Sequence, residues 1–240
     1  METKGLTEKE NGFGDYVYLK IEALNSYSIV LKVFLWIFFV LAFISLISNF
    51  LQLNLIFSYP FSMKEAEAND SRQMIIKLIV GLVFFITAII FLIWIYKTSW
   101  ICNRIASPKM KYSPGWAVGW FFIPIANIWM PFLVMREIWK VAKNPINWQK
   151  EKSSSLVGLW WWLWILSAFL DRLGSKIIFS SSGTPSQSID SFLFPFKAGT
   201  IITIIGLVIA IIQTYLAISL VSSILRMLRT CIARIINEVF

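Results

Sequence analysis

The sequence predicts an all-α fold: a polytopic transmembrane helical bundle with four spans and one proline-broken helix that is re-entrant or interfacial. Of the 240 residues, 58% are hydrophobic and only 15% are charged, whereas soluble domains average about 25% charged residues. Four long apolar runs are separated by polar connections, and Pro124 and Pro131 interrupt a fifth run. A soluble fold of this length cannot bury so much apolar surface, so the composition indicates a membrane protein.

Mixed polar residues fill the first 28 positions, which we predict to form a cytoplasmic N-terminal segment. They lack the apolar core and cleavage site of a signal peptide, so the first span is expected to remain as an anchor. A membrane domain is predicted over residues 29–232, followed by a C-terminal tail over 233–240. Crossing the hydrocarbon core takes about 20 apolar residues in a helix, and the apolar runs predict spans at about 31–52, 76–97, 154–172 and 198–225.

The segment over residues 113–140 lies between the second and third spans and is of a different kind. Serine caps a helix well and proline suits its first turn, while a proline ten residues later breaks it. Ten helical residues rise only about 15 Å, half of the bilayer core, so the segment is either a kinked fifth span or a re-entrant or interfacial helix. The residues singled out here as a candidate functional or structural motif are Ser113, Pro114, Gly115, Trp116, Trp120, Pro124, Asn127, Trp129, Pro131, Arg136 and Glu137.

The distribution of Lys and Arg discriminates between these two arrangements. Five spans would put 11 basic residues on each side of the membrane, whereas four spans put 16 on one side and 6 on the other. The positive-inside rule therefore favours four spans, with both termini and the broken segment on the cytoplasmic side. Tryptophan placement agrees, since eleven of the twelve lie between Trp94 and Trp164 and indole rings prefer the membrane–water interface.

Three segments of the sequence are distinctive enough to compare with known families: WIYKTSWICNRI, MKYSPGWAVGWFFIPIANIWMPFLVMREIWK and LWWWLWILS. Together they resemble the bacterial membrane-protein family catalogued as domain-of-unknown-function family 4328. The resemblance covers about residues 28–232, where the first and last spans match as generic hydrophobic helices. It implies a multi-pass protein of the bacterial cytoplasmic (inner) membrane, and no activity is attached to the family.

Several classes of chemistry are excluded or disfavoured by what the sequence lacks. There is no histidine, no carboxylate inside an apolar run and no GxxxxGK[ST] phosphate loop, so imidazole-dependent catalysis and proton-coupled pumping lack their usual residues. Two distant cysteines make no disulfide framework or metal motif. We therefore predict a protein that is not an enzyme and that has no cofactor and no metal. The net charge of +9 reflects cytoplasmic loops rather than a nucleic-acid partner.

Asn127 and Arg136 are the residues of the broken segment for which the sequence suggests specific functional roles. Asn127 either helps to bind a ligand at the interrupted backbone or satisfies loose backbone groups there. Arg136 either holds an anionic lipid headgroup or a partner's carboxylate, or anchors the helix at the interface beside a Glu137–Lys140 surface pair.

Small and polar residues elsewhere predict helix contacts. A stripe in the fourth span, including Gly199, Gly206, Ala210 and Gln213, is typical of helix packing. Asn49, Gln52 and Asn54 either mark the outer end of the first span or, in a longer helix, place amides inside the bundle.

Two functions of different class follow. The first is a non-catalytic scaffold or sensor whose cytoplasmic Trp/Arg surface meets the lipid bilayer, anionic headgroups or an unidentified protein partner. The alternative is a small-solute or ion pathway built around the Pro124–Asn127–Pro131 break.

Overall fold

We describe a computed structural model, which covers the backbone of residues 2–181 and 188–239 and the side chains of 19–179, 188–189 and 191–234. Over these residues the chain is helical and has no strand, which confirms the all-α prediction. Residues 182–187, in the serine-rich stretch over 180–191, lie outside the described residues. The helices are α1 (Glu2–Phe57), α2 (Met63–Ile105), α3 (Pro114–Gly119), α4 (Met130–Lys143), α5 (Ser155–Ser181) and α6 (Ile189–Val239).

The four long helices α1, α2, α5 and α6 are each long and apolar enough to cross a membrane. The helices extend beyond the predicted spans, because hydropathy marks only the part of a helix that meets hydrocarbon. The backbone is already helical from Glu2, and helix α6 continues through the predicted tail to Val239. Helix α5 reaches Ser181, nine residues beyond the predicted end of its span near residue 172. Its 27 residues rise about 40 Å.

The chain divides into two compact units, to which all four long helices contribute residues. Unit 1 contains residues 2–33, 87–158 and 218–239, and unit 2 contains 34–86 and 159–217. The chain therefore passes from unit 1 into unit 2 along α1, returns along α2, leaves again along α5 and returns along α6. The broken segment over residues 113–140 lies wholly within unit 1.

Unit 1 is held together by buried polar contacts between helices as well as by apolar packing. The fully buried Trp94 donates from its indole Nε1 to Ser28 Oγ at 2.8 Å, joining α2 to α1. Ser28 in turn donates to the Leu24 carbonyl at 2.8 Å, so both polar groups are satisfied. Such a pair is favourable in an apolar bundle because neither group has water as an alternative partner.

Unit 2 contains a close approach between α5 and α6. Gly174 of α5 faces Gly199 of α6, and a Cβ atom on either glycine would come within 3.0 Å of the other's carbonyl oxygen. Gly206 lies in the same contact, where a Cβ would be 3.2 Å from Leu170 Cβ. Farther along α6, Ala210 is half-buried and Gln213 is buried, with Gln213 Oε1 accepting from the Thr214 hydroxyl at 3.4 Å.

The amides near the end of the first predicted span lie within a continuing helix. Helix α1 runs to Phe57, so Gln52 is inside it and donates from Nε2 to Thr200 Oγ1 of α6 at 3.1 Å. Asn49 is buried and donates to the Ser45 carbonyl at 2.8 Å. The longer-helix alternative therefore holds for Asn49 and Gln52, whereas Asn54 is exposed.

Candidate functional site

The broken segment has the order helix, turn, turn, helix. Ser113 caps α3, where its Oγ accepts from the Trp116 N–H at 3.5 Å, and Pro114 occupies the first turn. After α3 come two 3-10 turns, over Trp120–Phe122 and Ala126–Ile128. Pro124 lies between them, where its missing N–H and its ring prevent a continuous helix. Helix α4 then restarts with Pro131 in its first turn.

Large apolar side chains project from the break. Phe122 and Ile125 are each 71% exposed, and Trp116 and Trp129 are about half exposed. Contiguous apolar exposure of this kind marks a surface that meets a membrane or a partner. Gly115 is open as well, since nothing lies within 4 Å of a Cβ built there. We call the set Trp116, Phe122, Ile125 and Trp129 the exposed tip.

Helix α4 has two distinct faces. Its buried face includes Val134, Met135 and Ile138, which are all fully buried. Its partly exposed face carries Trp129, Phe132, Arg136 and Trp139, and we call it the aromatic face. The Arg136 guanidinium lies 5.6 Å from the Phe132 ring centroid, within cation–π range.

The Arg136 guanidinium therefore contacts an aromatic ring and, among the described residues, is not part of an ion pair. In the described part of the chain, the ion pairs are Lys143–Glu151 and Arg229–Glu22, so no carboxylate neutralises Arg136 directly. A guanidinium in this position is available to phosphate or carboxylate oxygens from outside the chain.

Glu137 is on the buried face of α4, which corrects the prediction of a Glu137–Lys140 surface pair. Only 5% of Glu137 is exposed, and its Oε1 accepts from the Lys111 N–H at 2.6 Å. Burial raises the pKa of the Glu137 carboxyl, while the backbone N–H groups of Lys111 and Tyr112 act in the opposite direction. The surface-pair prediction failed because the connection after α2 folds over this part of α4, a contact that helical spacing alone does not show.

The connection between α2 and α3 is fixed at further points around Glu137. Asn103 Nδ2 donates to the Tyr112 carbonyl at 3.1 Å. Trp148 Nε1 donates to the Pro108 carbonyl at 2.7 Å, from the turn that follows α4. Glu137 is thus the central member of a clamp that holds residues 106–113 against α4.

Three buried side-chain atoms in the described residues have no hydrogen-bond partner, and all three belong to the broken segment. They are Trp120 Nε1, Asn127 Oδ1 and Glu137 Oε2. Buried polar groups without a partner are rare and call for a specific explanation. Asn127 does not satisfy loose backbone groups with its side chain, which corrects the simpler of the two hypotheses for this residue. Its Oδ1 accepts no hydrogen bond from the described residues.

Positive charge is concentrated in unit 1. Among its described side chains, only Glu22, Glu137 and Glu151 carry carboxylates, and each one already bonds to Arg229, to the Lys111 amide or to Lys143. The described basic side chains of the same unit are Lys20, Lys32, Lys97, Arg104, Lys109, Lys111, Arg136, Lys140, Lys143, Lys150, Lys152, Arg226, Arg229 and Arg234. Unit 1 is therefore strongly cationic, and it holds the same 16 basic residues of the sequence that the four-span arrangement assigns to one side.

A second polar cluster lies in unit 2, where sequence reasoning singled out no site. Arg72 of α2 donates from Nε to Ser48 Oγ at 3.1 Å and from Nη2 to Asn69 Oδ1 at 2.6 Å. Gln73 Nε2 donates to the Ser48 carbonyl at 3.1 Å. The signal in the sequence is the spacing of Asn69, Arg72 and Gln73, which places them on one helix face. It was missed because these residues belong to a stretch that looks like a polar outer loop.

A family model for a domain of unknown function, DUF4328, matches residues 59–226. The chain belongs to the DUF4328 family. This match confirms the resemblance drawn from the tryptophan- and proline-rich strings, and it runs from the connection before α2 into α6. No curated protein matches this DUF4328 chain. No solved structure matches it.

In the described residues of this DUF4328 protein, no three His, Cys, Asp or Glu side chains come together as a metal site would need. Cys102 is a buried free thiol and Cys231 is a half-buried one. The features that distinguish the broken segment are thus its exposed tip, its uncompensated Arg136 and its unpartnered buried atoms.

Proposed function

We propose that this DUF4328 protein is a non-catalytic membrane scaffold or sensor, whose broken segment lies in the cytoplasmic interface of the inner membrane. The observation that carries the proposal is the coincidence, within unit 1, of an exposed apolar tip and a cationic surface with few free carboxylates. An amphipathic element of this kind inserts its apolar side chains among the acyl chains and attracts anionic headgroups with its basic residues.

Arg136 is the residue through which the headgroups are sensed in this proposal. It lies on the aromatic face of α4, stacked on Phe132 and without a carboxylate partner in the described chain. A phosphate bound there would sit beside Trp129 and Trp139, whose rings favour the interface. A protein partner with an acidic surface is the other class of ligand that this face suits.

A spin label at Ile125, in the exposed tip, tests the proposal in lipid nanodiscs with and without phosphatidylglycerol. We expect the label to lie at acyl-chain depth and its mobility to fall when the anionic lipid is present. Arg136→Gln should abolish the response to the lipid, because it removes the charge that holds the headgroup. Lys109→Gln is the matched control, since it removes an exposed charge from the same unit. An equal loss of the lipid response in Arg136→Gln and Lys109→Gln would refute the proposal, and so would a label that lies in water.

A solute pathway is the second candidate function, and Asn127 is the specific observation in its favour. The buried, unpartnered Asn127 Oδ1 lies in an interrupted helix, and interrupted helices in membranes line polar cavities or are buried in protein. Flux of small solutes or ions into proteoliposomes should then fall in Asn127→Ala. Absence of flux over a broad panel would remove this candidate.

A further inference from the structure

The Arg72 cluster of unit 2 is the second place where a charged side chain meets buried polar groups. We define it as Ser48 of α1 with Asn69, Arg72 and Gln73 of α2. Ser48, Asn69 and Gln73 are all buried, and Arg72 is half-buried. Buried polar groups in a membrane bundle are costly and usually serve binding or transport.

The guanidinium of Arg72 is fixed by neutral acceptors. Nε donates to Ser48 Oγ at 3.1 Å, while Nη2 donates to the Ser48 carbonyl at 3.4 Å and to Asn69 Oδ1 at 2.6 Å. Among the described residues, these three bonds leave only Arg72 Nη1 without an acceptor. Because the donors are already oriented, a ligand would not have to order the side chain on binding.

The charge of Arg72 is not neutralised within the described residues. Neither of the ion pairs seen there involves Arg72. The adjacent carboxylate, Asp70, instead accepts from Asn69 Nδ2 at 3.3 Å, so Asn69 turns its oxygen to Arg72 and its nitrogen to Asp70. A half-buried cation held by neutral groups alone attracts an anion strongly.

The position of Arg72 along α2 suits the phosphate of a lipid headgroup. It precedes the second predicted span, which begins at about residue 76, by four residues, or about 6 Å of helix. The neighbouring Met74 and Ile75 are each more than half exposed, so the helix faces lipid at this level. The headgroup region lies at this distance beyond the hydrocarbon core, since it adds about 5–7 Å on each side.

We propose that the Arg72 cluster binds a phosphate oxyanion, with the guanidinium as the charged donor and Ser48 and Asn69 as the groups that orient it. Two sources share this chemistry, namely a phospholipid headgroup and free inorganic phosphate. The two N–H donors of Arg72 Nη1 are the ones left for phosphate, and the fixed position of the guanidinium distinguishes this site from a simple surface charge. The site is separate from Arg136, which belongs to unit 1.

Native mass spectrometry of the full chain in detergent tests the proposal, with three probes: phosphatidylglycerol, a galactolipid that lacks phosphate, and inorganic phosphate. We expect phosphatidylglycerol to bind and Arg72→Gln to weaken its binding by about tenfold, the effect of losing one good charge contact. Arg72→Lys should fall between the two, because lysine keeps the charge but lacks the planar group that Ser48 and Asn69 hold in place. Lys77→Gln, an exposed charge on the same helix, should leave binding unchanged.

Each probe and each variant gives a result that either supports or contradicts the proposal. Competition by inorganic phosphate identifies a soluble phosphate site, and lack of competition identifies the headgroup of an intact lipid. Binding of the galactolipid as tight as that of phosphatidylglycerol would overturn the proposal, and so would equal losses in Arg72→Gln and Lys77→Gln. If Arg72→Gln does not fold, Arg72→Lys carries the test, and unchanged binding in that variant contradicts recognition by an oriented guanidinium.

Discussion

Gly174→Ala should lower the melting temperature of the protein sharply. A Cβ at position 174 would lie 2.5 Å from Thr203 Oγ1 and 2.7 Å from the Gly199 carbonyl oxygen. The second of these atoms is backbone, so α5 and α6 would have to separate rather than exchange a rotamer. Overpacking of this kind costs typically about 1–3 kcal/mol, and we expect the upper end. Thermal unfolding in detergent, followed by circular dichroism, measures the change.

Gly81→Ala is the matched control for this effect. Gly81 also lies in unit 2, inside the long helix α2, but nothing is within 4 Å of a Cβ built there. Alanine in an open helical position stabilises by roughly 0.5–1 kcal/mol relative to glycine, so the two variants should shift the melting temperature in opposite directions. Similar melting temperatures for both would show that α5 and α6 do not approach as closely at Gly174 as described.

Glu137→Ala should destabilise the protein by about 2–3 kcal/mol, the range for a hydrogen bond to a charged group in a buried setting. The variant leaves the Lys111 N–H without its acceptor at 2.6 Å and removes the centre of the clamp on residues 106–113. Hydrogen exchange of the Lys111 amide would then rise well above that of amides in α1. Glu22→Ala is the control, because Glu22 is an exposed carboxylate in the same unit. Unchanged exchange at Lys111 would contradict the clamp.

The pH dependence of Glu137 provides an independent check. Burial raises the pKa of Glu137 in the folded state above the ordinary value of 4.5. The folded state therefore holds this proton more tightly than the unfolded state, and its stability falls as pH rises from 4.5 through the raised pKa. Because the glutamine of Glu137→Gln cannot ionise, the stability of this variant should not show this fall as pH rises.

For Glu151, we expect stability to depend on pH in the opposite direction. Its hydrogen bonds to Lys143 and Asn144 lower the pKa of the carboxyl, so its stabilising effect is present above 4.5 and is lost as pH falls. Glu151→Gln should remove a rise in stability with pH. Melting curves of both variants across this range distinguish the two carboxylates, and slopes of the same sign would contradict the burial of Glu137.

Local signals were sufficient to predict the beginning and the breaking of the proline-rich segment. A helix start depends on a few neighbouring residues, so Ser113 and Pro114 identified α3 without knowledge of the fold. The break at Pro124 likewise follows from the missing backbone donor. Four apolar runs predicted four long helices because hydrophobic length is itself the requirement for crossing a bilayer.

Long-range contacts account for what the sequence did not predict. Glu137 looked like a surface residue because its burial depends on the connection over 106–113 folding onto α4. Gly174 was missed, although Gly199 and Gly206 were noted, because a close contact between helices depends on the relative register of both. Arg72 was assigned to an outer loop because its role depends on α2 beginning as early as Met63 and facing Ser48.

In the proposed topology, the chain enters and leaves the broken segment on one side of the membrane. Single cysteines replacing Lys109 and Lys150, both exposed and on opposite sides of the segment, test it in a chain with Cys102 and Cys231 changed to Ala. A membrane-impermeant maleimide should label neither position in intact cells and both after permeabilisation, while a cysteine replacing Lys64 should react in intact cells. Labelling of positions 109 and 150 from opposite sides would establish five spans and contradict the proposed topology.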